Sequence, residues 1–227
     1  REIISMQPRE GAFAQFISMP DRNLVTVPDE ISLTKAALAE PLAVSWHAAR
    51  LATDALHSSM DKTALVVGGG AIGLAAALAL NAMGIRDVTI VEPNDARRAY
   101  LIETCAQTAV PTAQGQFSIV IDAVGLAATR AVASARASAG GIIAHVGLGE
   151  DTDGIDVRRL TLQEITFIGT YTYTAQDFRD TAAALFDGRL GPLDWTQTRA
   201  LADGQQAFVD IRQGRVAAPK IILDPWG

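Results

Sequence analysis

Short apolar runs alternate with longer segments of helical composition over most of this 227-residue chain. Several of the runs have the length and the branched side chains that are typical of buried strands. A poorer strand is expected at 108–110. Because most of the runs are separated by helical stretches, the pattern predicts an α/β fold with a doubly wound parallel sheet. The runs are centred on Leu65, Val88, Ile119, Ile142 and Phe167.

The front of the chain predicts extended segments followed by a helix. Two short extended runs are expected at 11–20 and 21–28, and each ends in a proline. Ser32 is expected to cap a helical stretch that Pro41 interrupts and that resumes at Leu42.

The end of the chain predicts a helix over 172–190 with Thr174 as its cap, and then a short helix and a final strand at 221–223. Neither end of the chain carries enough apolar pattern to form a core alone. The two ends therefore resemble the flanks of a second domain.

The strongest local motif lies in residues 62–92, which predict a strand, a glycine turn, a helix and a second strand that ends in an acid. Gly68, Gly70 and Gly73 have the spacing G-x-G-x-x-G. The first glycine permits the tight turn, the second lets the backbone approach a pyrophosphate, and the third lets the helix pack on the strand. The helix start offers free N–H groups to the phosphates. The segment therefore predicts dinucleotide binding.

The acid that ends the second strand, Glu92, is placed to accept hydrogen bonds from an adenosine ribose. Because a carboxylate would repel the 2′-phosphate of NADP, NAD is the predicted cofactor. Ligands of open parallel sheets bind at the carboxyl ends of the strands, which extends the predicted site. These strand ends are Gly68, Glu92, Ala123, Val146 and Gly169.

The same segment also permits an interpretation as a membrane span. Residues 64–83 are almost wholly apolar, and Gly69 and Gly73 have the spacing of a helix-pairing motif. Three consecutive glycines disfavour one continuous helix, and a crossover helix covered on both sides would be equally apolar. We therefore favour the strand, turn and helix, and expect no membrane partner.

The composition of the chain bears on its binding partners and on its cellular location. The net charge is −6 and no long run of Lys or Arg occurs, so nucleic acid is not an expected partner. The single cysteine, Cys105, excludes an internal disulfide, and no signal peptide is visible, so a cytoplasmic location is expected. The chain begins with Arg1 rather than Met, and we expect that it is incomplete as given.

A series of short motifs runs through the chain in the order GAFAQF, NLVTVPD, AALAEPLAVSWHA, VVGGGAIG, TIVEPNDAR, IDAVG, HVGL, FIGTY and a closing KIIL. This order resembles the zinc-dependent medium-chain alcohol and polyol dehydrogenases, including the sorbitol and threonine dehydrogenase branches. The resemblance covers essentially the whole chain. It implies part of a GroES-like catalytic domain at 1–41, an NAD-binding Rossmann domain at 42–171 and a return segment to the catalytic domain at 172–227.

The resemblance implies a zinc-dependent oxidoreductase that transfers a hydride between a secondary alcohol or a polyol and NAD. Family members carry their zinc-binding Cys and His-Glu pair ahead of the position of Arg1. Zinc is therefore expected in the full-length protein, while the chain as given is expected to bind dinucleotide without oxidising alcohol. A homodimer or homotetramer is expected on the same ground.

Glu40 matches the family carboxylate that contributes to the catalytic zinc site, directly or through the metal-bound water. Without the resemblance, it would be interpreted as a glutamate on a helix surface. Thr172 and Tyr173 occupy positions where sorbitol-type members carry an arginine and a tyrosine in the substrate pocket. Losing the guanidinium removes a forked donor suited to polyhydroxylated groups, so we expect a substrate other than sorbitol.

The resemblance also assigns residues to the cofactor. The glycine turn with Ala71 and Ile72 would hold the pyrophosphate, and Arg97 would pack over the adenine, although it is equally typical of a solvated helix charge. Lys220 would reach the pyrophosphate, although a surface lysine is the commoner outcome. The residues expected beside the nicotinamide are Val44, Val146, Gly147, Leu148, Thr170 and Tyr171.

Two other functions stay open at this point. A zinc-free quinone or enoyl reductase of the same superfamily is one, although Glu40 argues against it. The other is a stand-alone NAD-binding regulatory module. Of the histidines, His47 is interpreted as a satisfied core residue, His145 as structural or lining the cofactor cleft, and His57 as exposed.

Overall fold

A six-stranded parallel sheet lies at the centre of the computed structural model, which describes residues 3–227. The first two residues of the predicted catalytic-domain part at 1–41 therefore lie outside the described residues. The strands are β1 (Thr63–Val67), β2 (Asp87–Val91), β3 (Thr108–Val110), β4 (Phe117–Asp122), β5 (Ala137–His145) and β6 (Thr166–Gly169). Their order is β3-β2-β1-β4-β5-β6, with every neighbouring pair parallel. This confirms the doubly wound parallel sheet.

Helices cover both faces of the sheet. The longer ones among them are α2 (Ala39–Ala55), α3 (Ala71–Ala82), α4 (Asp95–Glu103), α5 (Ala127–Arg136) and α7 (Ala175–Phe186). Shorter elements are α1 (Leu33–Ala36), α6 (Val157–Leu162), α8 (Gly204–Arg212) and single 3₁₀ turns at Asp21–Asn23 and Leu201–Asp203.

Strand β1 shows why its apolar run needs helices on both sides. Val66 belongs to the core cluster that contains residues of α2, α3 and α7, whereas Leu65 belongs to the cluster that contains residues of α5. Successive strand side chains point to opposite faces, so both faces of β1 must be covered. Both residues are fully buried.

The structure corrects the prediction that Pro41 interrupts the first long helix. The break falls before Ala39, and Pro41 lies in the first turn of α2. A proline is tolerated there because the first N–H groups of a helix have no intrahelical partner. Ser32 caps α1 as predicted, since its hydroxyl accepts a hydrogen bond from the N–H of Lys35 at 3.3 Å.

Other boundaries were predicted less well. The extended runs expected at 11–20 and 21–28 contain no strand, and Phe13 and Phe16 are exposed. Helix α7 begins and ends inside the predicted range 172–190, although Thr174 caps it as predicted. Strand β5 begins at Ala137, ahead of its apolar run, so the preceding helix ends at Arg136.

The last part of the chain forms a separate two-stranded parallel sheet of β7 (Thr196–Ala200) and β8 (Lys220–Asp224).

The bounds of the three predicted domains stay predictions, as does the oligomeric state. Residues 64–83 form β1, the glycine turn and α3, and none of the described helices is long and apolar enough to cross a membrane. The cytoplasmic location stays a prediction.

Core packing of α3 can be tested with a pair of leucine variants. Leu80 is fully buried in α3, so Leu80→Ala should lower the free energy of unfolding by about 2–5 kcal/mol. Leu33→Ala is the control, because Leu33 is 79% exposed and its loss should change stability by less than about 0.5 kcal/mol. Urea unfolding measures both. Equal losses would contradict the packing of α3 against the sheet.

Candidate functional site

The glycine turn begins directly after β1. Gly68 has a φ of +100°, in the left-handed region that favours glycine, and its N–H donates to the carbonyl of Val91 at 2.9 Å. Gly73 lies in the first turn of α3 against the same residue, since a Cβ on Gly73 would stand 1.8 Å from the carbonyl oxygen of Gly68. The turn therefore requires glycine at both positions, and α3 starts at the carboxyl edge of the sheet.

The start of α3 is open to a ligand. Gly70 is the N-cap residue, and no side chain among residues 3–227 caps this helix. A Cβ on Gly70 would meet open space, unlike a Cβ on Gly73. The first N–H groups of a helix lack intrahelical acceptors and carry partial positive charge, so this end suits an anion such as a phosphate.

The buried carboxylate of Glu92 joins the turns after β1 and β2. Glu92 is 4% exposed. Its Oε2 accepts a hydrogen bond from the N–H of Gly69 at 3.0 Å, and its Oε1 accepts one from the N–H of Asn94 at 2.8 Å. A carboxylate offers about four lone-pair sites, so acceptor capacity remains after these two bonds. Glu92 therefore holds the glycine turn in place and can still accept from a ligand.

Arg97 lies beside this carboxylate. Its Nη1 is 3.7 Å from Oε2 of Glu92, and its Nη2 donates to the carbonyl of Val216 at 3.3 Å. The guanidinium thus connects the turn after β2 with the chain segment that leads to β8. The predicted contact of Arg97 with an adenine stays a prediction.

A cleft of about 290 Å³ opens at the carboxyl edge, between the glycine turn and the loops after β4, β5 and β6. Every lining residue except Val124 was predicted as a cofactor or substrate contact. The structure therefore brings together residues from five separate segments of the sequence. The lining residues are Val44, Ile72, Ala123, Val124, Val146, Gly147, Leu148, Thr170, Tyr171 and Thr172.

Two loops that form this cleft are joined backbone to backbone. Gly149 donates its N–H to the carbonyl of Val124 at 3.1 Å, and Glu150 donates to the carbonyl of Gly125 at 2.8 Å. The loops approach so closely that a Cβ on Gly125 would lie 2.2 Å from the carbonyl carbon of Gly147. The cleft wall is therefore mainly backbone, which fixes its shape.

Two buried side chains that sequence reasoning missed support this wall. Asp122 is fully buried and its Oδ1 accepts from the N–H groups of Val124 and Gly125 at 3.0 and 2.9 Å. Arg130 is 5% exposed and donates to the carbonyls of Gly125, Glu150, Asp153 and Thr152. Asp122 ends an apolar strand, which was an available signal, whereas three of the four partners of Arg130 lie 20 to 23 residues further along the chain.

Two hydroxyl groups fix further parts of the cleft. Ser45 on α2 donates to the carbonyl of Ile72 at 2.8 Å, which ties α2 to the start of α3. Thr170 donates its Oγ1 to the carbonyl of His145 at 3.2 Å, and its N–H donates to the same oxygen at 2.9 Å. The loop after β6 is therefore fixed to the end of β5.

Besides the residues of the glycine turn, Glu92 and Arg97, the structure places Glu40, Tyr173 and Lys220 outside the cleft lining. Glu40 is exposed in the first turn of α2, one turn before Val44. Partial burial of its carboxyl group raises the pKa of Glu40, and the charge of Lys220 opposes this shift. Burial, with a smaller effect from Glu40, raises the pKa of Tyr173 to about 12. Glu40, Tyr173 and Lys220 are therefore electrostatic neighbours.

Metal binding is not supported by the described side chains alone. Within residues 3–227, no three His, Cys, Asp or Glu side chains come together in a way that could hold a metal ion. Because zinc takes at least three protein ligands, Glu40 could supply only one of them, and its part in a zinc site stays a prediction.

The remaining candidates lie away from the cleft. His47 is 8% exposed, and its Nδ1 is 2.8 Å from a carboxylate oxygen of Asp177, in agreement with a satisfied core histidine. His145 lies between Asp122, 3.4 Å away, and a second cleft of about 380 Å³ bounded by residues 150–155. His57 is exposed as predicted. Cys105 is half-buried, and burial raises its pKa to about 11, which makes it a poor nucleophile.

The fold and the cleft together define a dinucleotide-binding α/β protein of the Rossmann class, with the glycine turn at the point where the strand order reverses. The family described as zinc-binding dehydrogenase matches residues 71–187, just over half of the chain. The chain belongs to this family, which confirms the resemblance to the zinc-dependent medium-chain dehydrogenases.

Individual relatives agree with this assignment. The chain is 27% identical to the (R,R)-butanediol dehydrogenase of Saccharomyces cerevisiae, over 95% of this chain and 61% of that protein. It is 28% identical to the L-threonine 3-dehydrogenase of Chelativorans sp. (strain BNC1), over 95% of this chain and 65% of that protein. The chain therefore spans less than two thirds of the length of these relatives.

A solved structure agrees at the level of the fold. A short chain alcohol dehydrogenase of Escherichia coli CFT073, complexed with the cofactor NADH, superposes with a TM-score of 0.83 at 19% identity. The match covers 95% of this chain and 66% of that one.

The close contact at Gly73 can be tested against the open position at Gly70. Gly73→Ala should lower the free energy of unfolding by about 2 kcal/mol or more, because the new Cβ meets backbone that cannot move aside. Gly70→Ala should cost less than about 1 kcal/mol, the loss of a favourable N-cap residue. Thermal and urea unfolding measure both variants. An equal cost at the two positions would contradict the contact between α3 and β1.

Proposed function

We propose that this chain forms the cofactor-binding part of an NAD-dependent alcohol or polyol dehydrogenase. One observation carries the proposal: the open start of α3 lies next to the cleft whose lining residues converge from five segments of the sequence. This arrangement offers an anion site and an apolar cleft at one edge of the sheet, as a dinucleotide needs. Membership of the zinc-binding dehydrogenase family supports the same function.

The residues present fit NAD. The pyrophosphate would lie against the N–H groups at the start of α3, where the space beside Gly70 is open. The adenosine ribose would lie near Glu92, whose oxygens retain acceptor capacity. The nicotinamide would enter the cleft between Val44 on one side and the 146–148 backbone on the other.

The cleft would serve the reaction by orientation and by excluding water. Its side chains are mostly aliphatic, and the loops after β4 and β5 are fixed by backbone hydrogen bonds. Bound NAD would supply a hydride acceptor at nicotinamide C4. A rigid apolar wall limits the ring to a few orientations and removes water from the reacting face.

Preference for NAD over NADP would follow from the charge and burial of Glu92. The carboxylate is fixed by two backbone N–H donors, so it cannot swing away from a 2′-phosphate. A 2′-phosphate beside Glu92 would meet a like charge at low solvent exposure. Arg97 lies 3.7 Å from Glu92 and already pairs with this carboxylate, so its charge would not be available to the phosphate alone.

For the substrate we propose a small alcohol or polyol. Relatives named butanediol dehydrogenase and L-threonine 3-dehydrogenase support this class. Thr172 lines the cleft and Tyr173 lies beside Glu40, so both are positioned for a substrate next to the nicotinamide. We assign Glu40 to the substrate region too, because it is the acid of α2 that lies one helical turn before the cleft residue Val44. The relatives are longer than this chain, and we propose that activity of the intact enzyme requires further groups from the part that the chain does not span.

Cofactor preference provides the test of this proposal. Isothermal titration of the purified chain should show NAD binding at least about tenfold more tightly than NADP, a difference of about 1.4 kcal/mol. Glu92→Ala should reduce this ratio to about threefold or less, since the like charge is removed.

Asp95→Ala is the matched control for this experiment. Asp95 is a nearby acid whose side chain is 91% exposed, so its removal should leave the ratio unchanged. A wild-type chain that binds both dinucleotides equally would defeat the role assigned to Glu92, and a chain that binds neither would defeat the proposed function.

A further inference from the structure

A buried ionic cluster connects α2 with the start of α7, behind the cleft rather than in it. Asp177 is 1% exposed. Its Oδ1 accepts from Nε of Arg50 at 2.7 Å, and its Oδ2 lies 2.8 Å from Nδ1 of His47. Oδ2 also accepts from the hydroxyl of Thr174 at 2.6 Å and from its N–H at 3.0 Å. One carboxylate thus joins two helices that are distant in sequence.

The protonation state of the cluster follows from its donors. Burial alone would raise the pKa of Asp177, but hydrogen bonds from Arg50, Thr174 and His47 outweigh it and hold the pKa well below its usual range. An ionised carboxylate only accepts, so Nδ1 of His47 carries the proton and donates it. All these bonds are therefore charge-assisted, which makes them short and directional.

Each side of the cluster lies close to one wall of the cleft. His47 stands about one helical turn after Val44, and Thr174 stands two residues after Thr172. Val44 and Thr172 both line the cleft. Asp177 therefore connects two parts of the cleft lining, α2 at Val44 and the loop after β6 at Thr172.

The conformation of Thr172 indicates that this loop needs external support. Its φ is +55°, which a β-branched residue adopts only at a cost. Such conformations persist where the surroundings determine them, and strained residues concentrate at ligand sites. The capping hydrogen bonds between Thr174 and Asp177 begin two residues after Thr172 and fix the path of the chain out of the loop.

We propose that Asp177 is a positioning residue, which sets the separation between Val44 and the loop at 170–172 and thereby forms the seat for the nicotinamide half of the dinucleotide. The inference rests on the proposed function. The packing of α2 and α7 does not itself need this carboxylate, because Trp46, Ala184 and Leu185 belong to the same buried apolar cluster. Because the desolvation of buried charges offsets much of their attraction, a gain in stability alone does not explain this cluster.

The experiment compares NADH with ADP-ribose, two ligands that have the adenosine and the pyrophosphate in common. NADH contains the nicotinamide, whereas ADP-ribose fills only the adenosine, pyrophosphate and ribose positions. Dissociation constants for both are measured by calorimetry on the purified chain, and the nicotinamide fluorescence of bound NADH is recorded as an independent signal. The variants are Asp177→Asn and Thr174→Val, with Thr174→Ser as the conservative replacement that retains the hydroxyl.

Asp54→Asn is the matched control. Asp54 pairs with Nη1 of the same Arg50 at 3.1 Å, but its side chain is 63% exposed. Thr174→Val leaves Asp177 paired with Arg50 and His47, so the test remains decisive if Asp177→Asn does not fold.

The proposal expects Asp177→Asn and Thr174→Val to weaken NADH binding about tenfold and to leave ADP-ribose binding within about twofold of the wild type. Thr174→Ser should restore NADH binding, and Asp54→Asn should change neither ligand. Unchanged NADH binding in Thr174→Val, or parallel losses for both ligands, would overturn the positioning role. A wild-type chain that binds ADP-ribose but not NADH would overturn it too, whereas binding of neither ligand would remove the proposed function itself.

Discussion

Helix α3 approaches β1 so closely that the backbone of Gly73 touches the carbonyl group of Gly68, and the rest of the site depends on this contact. A Cβ would stand 1.8 Å from that oxygen, so only glycine allows the helix to begin where it does. The contact points the free N–H groups of α3 at the crevice where the strand order reverses. Ile72 belongs to α3 and forms part of the cleft lining. If α3 moved outward, the anion site and Ile72 would therefore move away from the rest of the cleft.

Three buried carboxylates support the loops around this contact, each in the same physical way. Glu92 accepts from backbone N–H groups in the turns after β1 and β2, and Asp122 accepts from the turn after β4. Asp177 does so for the start of α7. A buried carboxylate without donors would be costly, and each of these is satisfied by groups whose positions matter to the cleft. The site is therefore built mainly from backbone held by acids, with aliphatic side chains facing the ligand.

The sequence predicted the sheet and most of the cleft because both leave local signals. The apolar run centred on Ile119 was predicted as a strand and forms β4, and the glycine spacing located the start of α3. The early start of β5 could not be predicted, because Ser138 to Gly141 lack apolar character. Thr174 and Asp177 have capping-box spacing, but the contacts of Asp177 with His47 and Arg50 join residues 130 and 127 positions apart. Such pairings arise only when the helices pack, so no local pattern indicates them.

Hydrogen exchange of the backbone amides, measured with and without NADH, tests the central claim most directly. The N–H groups at 70–72 have no intrahelical acceptors, so a bound pyrophosphate should slow their exchange markedly. The account predicts that NADH also slows exchange at 146–148 and 170–172 in the same titration, because one ligand would span the helix start and the cleft. Protection confined to the second cleft at 150–155, or no protection at 70–72, would contradict the account.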